Sequence, residues 1–317
     1  MIYTNKTKQM ISYYRLMNLI RLFEERVDKL VSEGLIAGTT HLCIGQEAVP
    51  VGVYAALRKD DYAIGTHRGH GHILAKGADV KKVMAELFGK KTGYCKGLGG
   101  TQHMAAFDIN FLGTNGITGG GIPIATGVTL ALKMKKSDSI TVCFIGDGSV
   151  NQGTFHESLN MASIWKLPII YIIENNLYAM STRINKAVNI DKLSLRAVAY
   201  GIKGYTIDGN DVFEIKQCVE ESAKIVRKGK GPILIEALTY RHKGHSKSDS
   251  KIYRTREEEK FWMAKDPIQR LEKKILKECK IDKKELKKIK SDIKNIIDKS
   301  IEFAQKSDSP SFEEVLT

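Results

Sequence analysis

The chain has 317 residues, 42% of them hydrophobic, and a formal net charge of +14 at pH 7. That length suffices for one large α/β domain or two small ones, and no apolar run approaches the roughly 18 to 20 residues of a membrane span. Five cysteines (Cys43, Cys95, Cys143, Cys218, Cys279) are odd in number and form no CxxC pair, which argues against a disulfide scaffold or zinc site and for a reducing compartment.

The opening residues, Met1-Ile2-Tyr3-Thr4-Asn5-Lys6, lack a signal-peptide core, so a cytoplasmic protein is expected. Residues 8–33 carry Met10, Tyr14, Met17, Ile20, Leu22, Phe23, Val27 and Leu30 at helical spacing, and Gly34 is a plausible stop. A second helix is expected over Gln46–Leu57, then a short strand ending near Gly65 and a helix over Val80–Phe88. Residues 89–121 are glycine-rich and read as loop; Ile122–Lys133 reads as a small-residue helix. Val142 to Ile145 and Pro168 to Ile173 are apolar, β-prone runs flanking a helix from about Gly153 to Trp165. Helices over Val188–Tyr200 and Val212–Lys228 follow, then a strand over Pro232–Leu238 and a polar loop over 241–256. The remainder is helical. Residues 270–300 hold 12 Lys or Arg and 6 acids, yet Ile275, Ile281, Leu286, Ile289, Ile293 and Ile297 recur among them. That pattern is a charged amphipathic helix packed by its apolar stripe, and no nucleic-acid module signature accompanies it. Alternating β and α elements predict a doubly wound parallel sheet in one domain spanning 1–317, with a helical arm over about 1–35 and a charged helical tail over about 266–317.

Gly146-Asp147-Gly148 is followed by 26 residues and then Asn175-Asn176. A right-handed crossover between two parallel strands sets their C-terminal tips side by side. Asp147 and Asn176 can then reach one point. A carboxylate with an amide oxygen, and no Cys or His, suits a hard cation such as Mg²⁺ or Ca²⁺. Mg²⁺ fills its shell with phosphate oxygens and water, so a phosphorylated ligand is expected too. His67-Arg68-Gly69-His70-Gly71-His72 is a second constellation. Arg68 suits phosphate oxygens through its fork of donors; His70 and His72 read as structural or loop-orienting.

The GDG, 26-residue gap and NN spacing matches the thiamin-diphosphate-binding motif. Together with Ser149-Val150-Asn151-Gln152-Gly153, Asn160-Met161-Ala162 and Trp165-Lys166-Leu167-Pro168, it resembles the α subunit of the E1 component of 2-oxoacid and acetoin dehydrogenase complexes. The resemblance runs from about Met17 to about Pro267 and implies the thiamin-diphosphate-binding fold. It implies Mg²⁺ held by Asp147, Asn176 and the backbone carbonyl of Tyr178. It sets His67 and Arg68 on the diphosphate, with Gly148 and Ser149 at a helix start that offers free N–H groups. Main-chain groups of Gly116 and Thr118 would hold the aminopyrimidine ring, and His41 would face the substrate.

The loop Arg241-His242-Lys243-Gly244-His245-Ser246 resembles the active-site loop of pyruvate-type α subunits. His245 then lies beside the cofactor and assists proton transfer during acyl transfer to lipoamide. Ser246 holds a regulatory phosphorylation position, but the loop is one residue shorter than the mitochondrial pattern, so a dedicated kinase is not expected. The loop lacks apolar anchors, which predicts order only with cofactor and metal present. Glu47 is not assigned as a base, because in the family the activating glutamate comes from the β subunit. The implied activity is decarboxylation of a 2-oxo acid, pyruvate first, with reductive acylation of lipoamide on the lipoyl domain of E2 and an α2β2 assembly. Acetoin cleavage, or a paralogue without lipoamide transfer, is the alternative. A non-catalytic phosphate-binding module is a third reading. Neither nucleic acid nor membrane is an expected partner.

Overall fold

The computed structural model describes residues 3–316; Met1, Ile2 and Thr317, the outermost residues of the expected arm and tail, lie outside them. Thr4 caps the first helix, α1 (Asn5–Ser32), by accepting the Thr7 N–H. The chain continues through α2 (Ala48–Ala56), β1 (Tyr62–Ile64), α3 (Gly69–Lys76), α4 (Val80–Leu87), β2 (Phe111–Gly113), α5 (Gly121–Met134) and β3 (Thr141–Gly146). Next come α6 (Gly153–Ile164), β4 (Ile169–Asn175), the hairpin β5 (Tyr178–Ala179) and β6 (Thr182–Arg183), and α7 (Ile184–Ala187). The last elements are β7 (Lys203–Asp208), α8 (Val212–Arg227), β8 (Ile233–Leu238), α9 (Arg256–Met263), α10 (Pro267–Glu278), α11 (Lys283–Lys306) and α12 (Phe312–Leu316).

The six long-sheet strands run in the order β2-β1-β3-β4-β8-β7, and every pairing is parallel. Side chains alternate across it. Val142, Phe144, Ile170 and Ile172 pack on one face beneath α1, α2 and α8; Cys143, Ile145, Tyr171 and Ile173 pack on the other against α5 and α6. Helices on both faces of a parallel sheet make this the expected doubly wound α/β fold. The chain builds outward from β1 to β2, then returns to place β3 on the opposite side of β1. The crevice at that reversal, outside the carboxyl ends of the strands, is where such sheets hold ligands.

Several stretches differ from the sequence expectation; residues 89–121, read as loop, include the strand β2. Residues after β1 turn at once into α3, so His70 and His72 sit on a helix. Of the expected helix over 188–200, only Leu193–Tyr200 is helical, as a 3-10 helix, and α7 ends before it at Ala187. β7 was not expected; it is an edge strand whose first residues are exposed or half-buried, which hides it from a hydrophobic pattern.

The glycine-rich stretch after α4 is held by one carboxylate. Glu86 is buried and accepts the N–H groups of Cys95 (2.7 Å), Gly97 (3.0 Å), Gly99 (2.8 Å) and Gly100 (3.1 Å). Glu86→Ala leaves those donors without an acceptor. At about 1–3 kcal/mol for each one that stays dry, chemical denaturation should show a loss of about 2–4 kcal/mol. A loss under about 0.5 kcal/mol would mean that the loop is held by other contacts.

Candidate active site

A cavity of about 330 Å³ opens at the carboxyl ends of β1, β3, β4 and β8. Every residue singled out from the sequence as catalytic or ligand-binding lines it: His41, His67, Arg68, Gly116, Thr118, Asp147, Gly148, Ser149, Asn176, Tyr178 and His245. Each strand tip supplies a segment. β1 runs into Thr66-His67-Arg68, β3 into Asp147-Gly148-Ser149, β4 into Asn175-Asn176, and β8 into the loop with Arg241 and His245.

The floor is a patch of oxygen atoms. Asp147 is buried; its Oδ1 accepts the Gly148 N–H at 2.8 Å, and its Oδ2 has no partner. Burial pushes the Asp147 carboxyl up to about 6. Asn176 Oδ1 and the Tyr178 carbonyl lie beside it and both face the Arg241 guanidinium, at 3.2 and 3.4 Å. Two uncharged oxygens accept from the guanidinium, and the Asp147 carboxylate lines the same cavity. That donor set fits a hard cation. Gly148 is required by space, since a Cβ there would lie 2.6 Å from Ala179 Cβ. The expectation of a helix start at Gly148 is corrected. Asp147–Asn151 form a 3-10 helix, α6 begins at Gly153, and the Gly148 N–H is already given to Asp147.

Two buried arginines lie close to the floor. Arg241 is fully buried and its NH1 has no partner. Arg68 is buried as well, and burial with repulsion from Arg241 pulls it down to about 10, still charged at neutral pH. Two buried guanidinium groups at one edge are an arrangement that suits an anion. Arg68 also braces the surrounding wall. Its NH1 donates to the Leu42 carbonyl at 2.9 Å, and its NH2 donates to His245 Nδ1 at 3.0 Å. A guanidinium only donates, so Nδ1 accepts and the neutral ring carries its proton on Nε2.

Three imidazoles form one wall. His41, His67 and His245 have ring nitrogens within 4.8 Å of one another. Burial first, and Arg68 next, lower them to about 4, 2 and 3. All three are neutral at physiological pH. His70 and His72 face away, to Glu24 at 3.2 Å and Glu174 at 3.1 Å, in keeping with a structural part.

The family model for the dehydrogenase E1 component matches residues 14–313. The chain belongs to that family. An acetoin:2,6-dichlorophenolindophenol oxidoreductase α subunit of Bacillus subtilis is 44% identical over 305 residues, covering 96% of this chain and 91% of its own. A pyruvate dehydrogenase E1 α subunit of Rhizobium meliloti is 42% identical over 305 residues, at 96% and 88% coverage. One of Zymomonas mobilis is 43% identical over 312 residues, at 98% and 88%. The resemblance to E1 α subunits thus holds. Membership makes the chain an oxidoreductase of the pyruvate dehydrogenase type and implies thiamin diphosphate as cofactor. Relatives named α subunits imply a β partner. No helix among the described residues is long and apolar enough to cross a membrane.

Sequence reasoning missed Arg241, Glu174 and Gln102, which also build this E1 site. Arg241 could have been found: it follows the C-terminal tip of β8, where the fold gathers its ligands. The loop around His245 is also better held than expected. Polar groups replace apolar anchors. Arg254 donates to the carbonyls of Arg241 (2.9 Å) and Lys243 (3.1 Å) and lies over the rings of Tyr178, Tyr240 and Tyr253. Asp249 accepts the His245 N–H at 2.6 Å.

Because burial keeps the imidazoles neutral, His41 and His245 should show no titration between pH 8 and about 5 in the cofactor-free chain. Imidazole chemical shifts followed by NMR check this. Midpoints near 6.5, the ordinary histidine value, would show that the rings are hydrated.

Proposed function

We propose that this chain is the α subunit of a thiamin-diphosphate- and Mg²⁺-dependent E1 that decarboxylates a 2-oxo acid, pyruvate first, and passes the acyl group to the lipoyl domain of an E2. The observation that carries the reading is the convergence of an unpartnered Asp147 oxygen, the buried Arg68 and three neutral imidazoles on one cavity, with the buried Arg241 behind its floor. Asp147, Asn176 Oδ1 and the Tyr178 carbonyl would hold Mg²⁺. Arg68 and Arg241 would offset diphosphate charge, with His67 beside them. The main chain of Gly116 and Thr118 would border the ring portion of the cofactor. Bound thiamin diphosphate supplies the electron sink for cleaving a bond next to a carbonyl carbon. His245 can donate from Nε2 to an oxygen of the substrate, and His41 faces it across the wall at a ring separation of 4.8 Å. Gly148 and Ser149 border the diphosphate region.

The B. subtilis relative supports a second substrate, acetoin, at the same site. A β subunit in an α2β2 assembly would close the cavity. The open side carries exposed Ile117 and Met180, and the outer helices expose Ile124, Met161 and Ile164. Apolar side chains in such number suit a large buried interface. Five unpaired cysteines support a reducing compartment, the cytoplasm.

Asp147→Asn separates the metal role from folding. The raised carboxyl pKa means that the folded chain binds that proton more tightly than the unfolded chain. Its stabilising contribution is therefore present below pH about 4 and is lost as pH rises through about 6. At pH 7 the amide relieves a buried charge, so the free chain should gain about 1–3 kcal/mol. Calorimetry of the α–β pair should at the same time find no Mg²⁺-dependent binding of thiamin diphosphate. Wild-type affinity in this variant would sink the metal assignment.

His245→Ala should lower overall activity by about 10² to 10⁴, the usual loss for a positioned acid–base group. Cofactor affinity should change far less. The test reconstitutes the chain with its β partner and runs pyruvate and acetoin side by side. It compares lipoamide-linked turnover with decarboxylation to an artificial acceptor. Wild-type lipoamide-linked turnover would show that His245 is only a loop residue.

A further inference from the structure

The three imidazoles come from segments far apart in the chain, and no hydrogen bond joins one ring to another; they meet by ring-edge contacts. Such contacts are too weak and too tolerant to hold a catalytic geometry. Arg68 bonds His245 Nδ1 and Asp249 accepts the His245 N–H, and the segments that carry the three rings are tied further from behind the wall.

Helix α1 carries Arg21, Glu24 and Asp28 at i, i+3 and i+7. At 100° per residue these fall within roughly 60° of arc, on one face of the helix. None of the three lines the cavity. Each grips a different stretch of its wall. Arg21 donates to both Glu47 oxygens, at 2.5 and 3.0 Å, and to Asp266 Oδ2 at 2.9 Å. Glu47 in turn accepts the Gly45 N–H at 3.0 Å, and Asp266 lies 3.6 Å from His242.

Glu24 is fully buried. Its Oε2 accepts the Cys43 N–H at 2.7 Å, two residues past His41. Its Oε1 meets His70 Nδ1 at 3.2 Å, three residues past His67. The other nitrogen of His70 meets Thr101 Oγ1 at 2.8 Å, next to Gln102 of the wall. Asp28 takes Lys243 at 3.1 Å and Lys247 at 2.5 Å, and its carbonyl takes Lys247 again at 3.2 Å. Those lysines flank His245 two residues before and two after.

We propose that this face of α1 is the positioning element of the cavity, with Glu24 placing His41 and His67, and Asp28 placing His245. The proposal rests on the catalytic reading of the cavity given above. The two grips differ in kind. Glu24 is dry, and breaking a buried, fully bonded carboxylate is costly. Asp28 is only partly buried, and its lysines are 50% and 41% exposed, so its bonds exchange with water. Two imidazoles are thus set rigidly, and the third is held by a clamp that can open.

The decisive variant is Asp28→Asn, in the enzyme reconstituted with its β partner. A shift of about 1 Å at a reacting group can cost up to about 10² in rate, so kcat should fall about tenfold. Thiamin diphosphate affinity and the Tm should stay at wild-type values. Trypsin cuts after Lys243, Lys247 and Lys251, and on the variant those cuts should come several-fold faster. Lys247→Ala should behave alike, and the double variant Asp28→Asn/Lys247→Ala should be no worse than the worse single one. Glu24→Gln should lower kcat further and raise KM. Wild-type kcat with wild-type trypsin rates in Asp28→Asn would overturn the proposal. So would a lower kcat whose effect simply adds to that of Lys247→Ala. A wild-type complex that binds no thiamin diphosphate would defeat the functional reading instead, and the proteolysis rates would still decide the clamp.

Discussion

Parallel hydrogen bonding between β3 and β4 is the constraint on which the site depends. It sets Ile145 beside Ile173 and Gly146 beside Glu174, so both strands end at one level. Asp147 and Asn176 follow from those ends and cannot help meeting. β1 and β8, paired outside them in parallel, bring His67-Arg68 and Arg241 to the same edge. The apolar interior of the sheet needs nothing from these residues. It is the rigid object against which their charges are held.

Buried acids sort into two kinds. Glu24, Glu86 and Glu236 each have both oxygens engaged. Glu236, for example, accepts from Asn175 at 2.7 Å, Ser194 at 3.2 Å and Thr206 at 2.8 Å. Such a carboxylate organises backbone and asks for nothing more. Asp147 is equally buried, yet keeps an oxygen without a partner. A bound cation would remove that cost. The contrast sets Asp147 apart by bonding alone, without reference to any relative.

Much of this was legible in the sequence, and the exceptions have physical causes. The spacing of Asp147 and Asn176 is local to one β–α–β unit, so the sequence carries it directly. The long helices announce themselves by period. α3 does not, because Gly69 and Gly71 are poor helix formers. They are there for space: a Cβ on Gly69 would lie 1.9 Å from Thr114 Cγ2, and one on Gly71 would lie 2.6 Å from Cys43 Sγ. Arg241 reads as one more cation in a basic loop until the fold buries it. Asp28 and Lys247 are 219 residues apart, and no local pattern joins them. The loop expected to lack apolar anchors is held instead by polar and aromatic ones, several within the loop itself, such as Asp249 and Arg254.

The burial that keeps the imidazoles neutral also bears on the substrate. Under the proposed function, Arg68 and Arg241 are engaged by diphosphate, and the wall left for the substrate offers uncharged donors only. A 2-oxo acid then places its carboxylate where no cation answers it. That weakens the ground state more than the transition state, in which the negative charge has begun to leave. A protonated His41 or His245 would do the reverse, holding the carboxylate and slowing its loss. Acetoin carries no carboxylate and needs only the hydrogen bonds that neutral rings supply. Under that function one neutral wall would suit both a 2-oxo acid and acetoin.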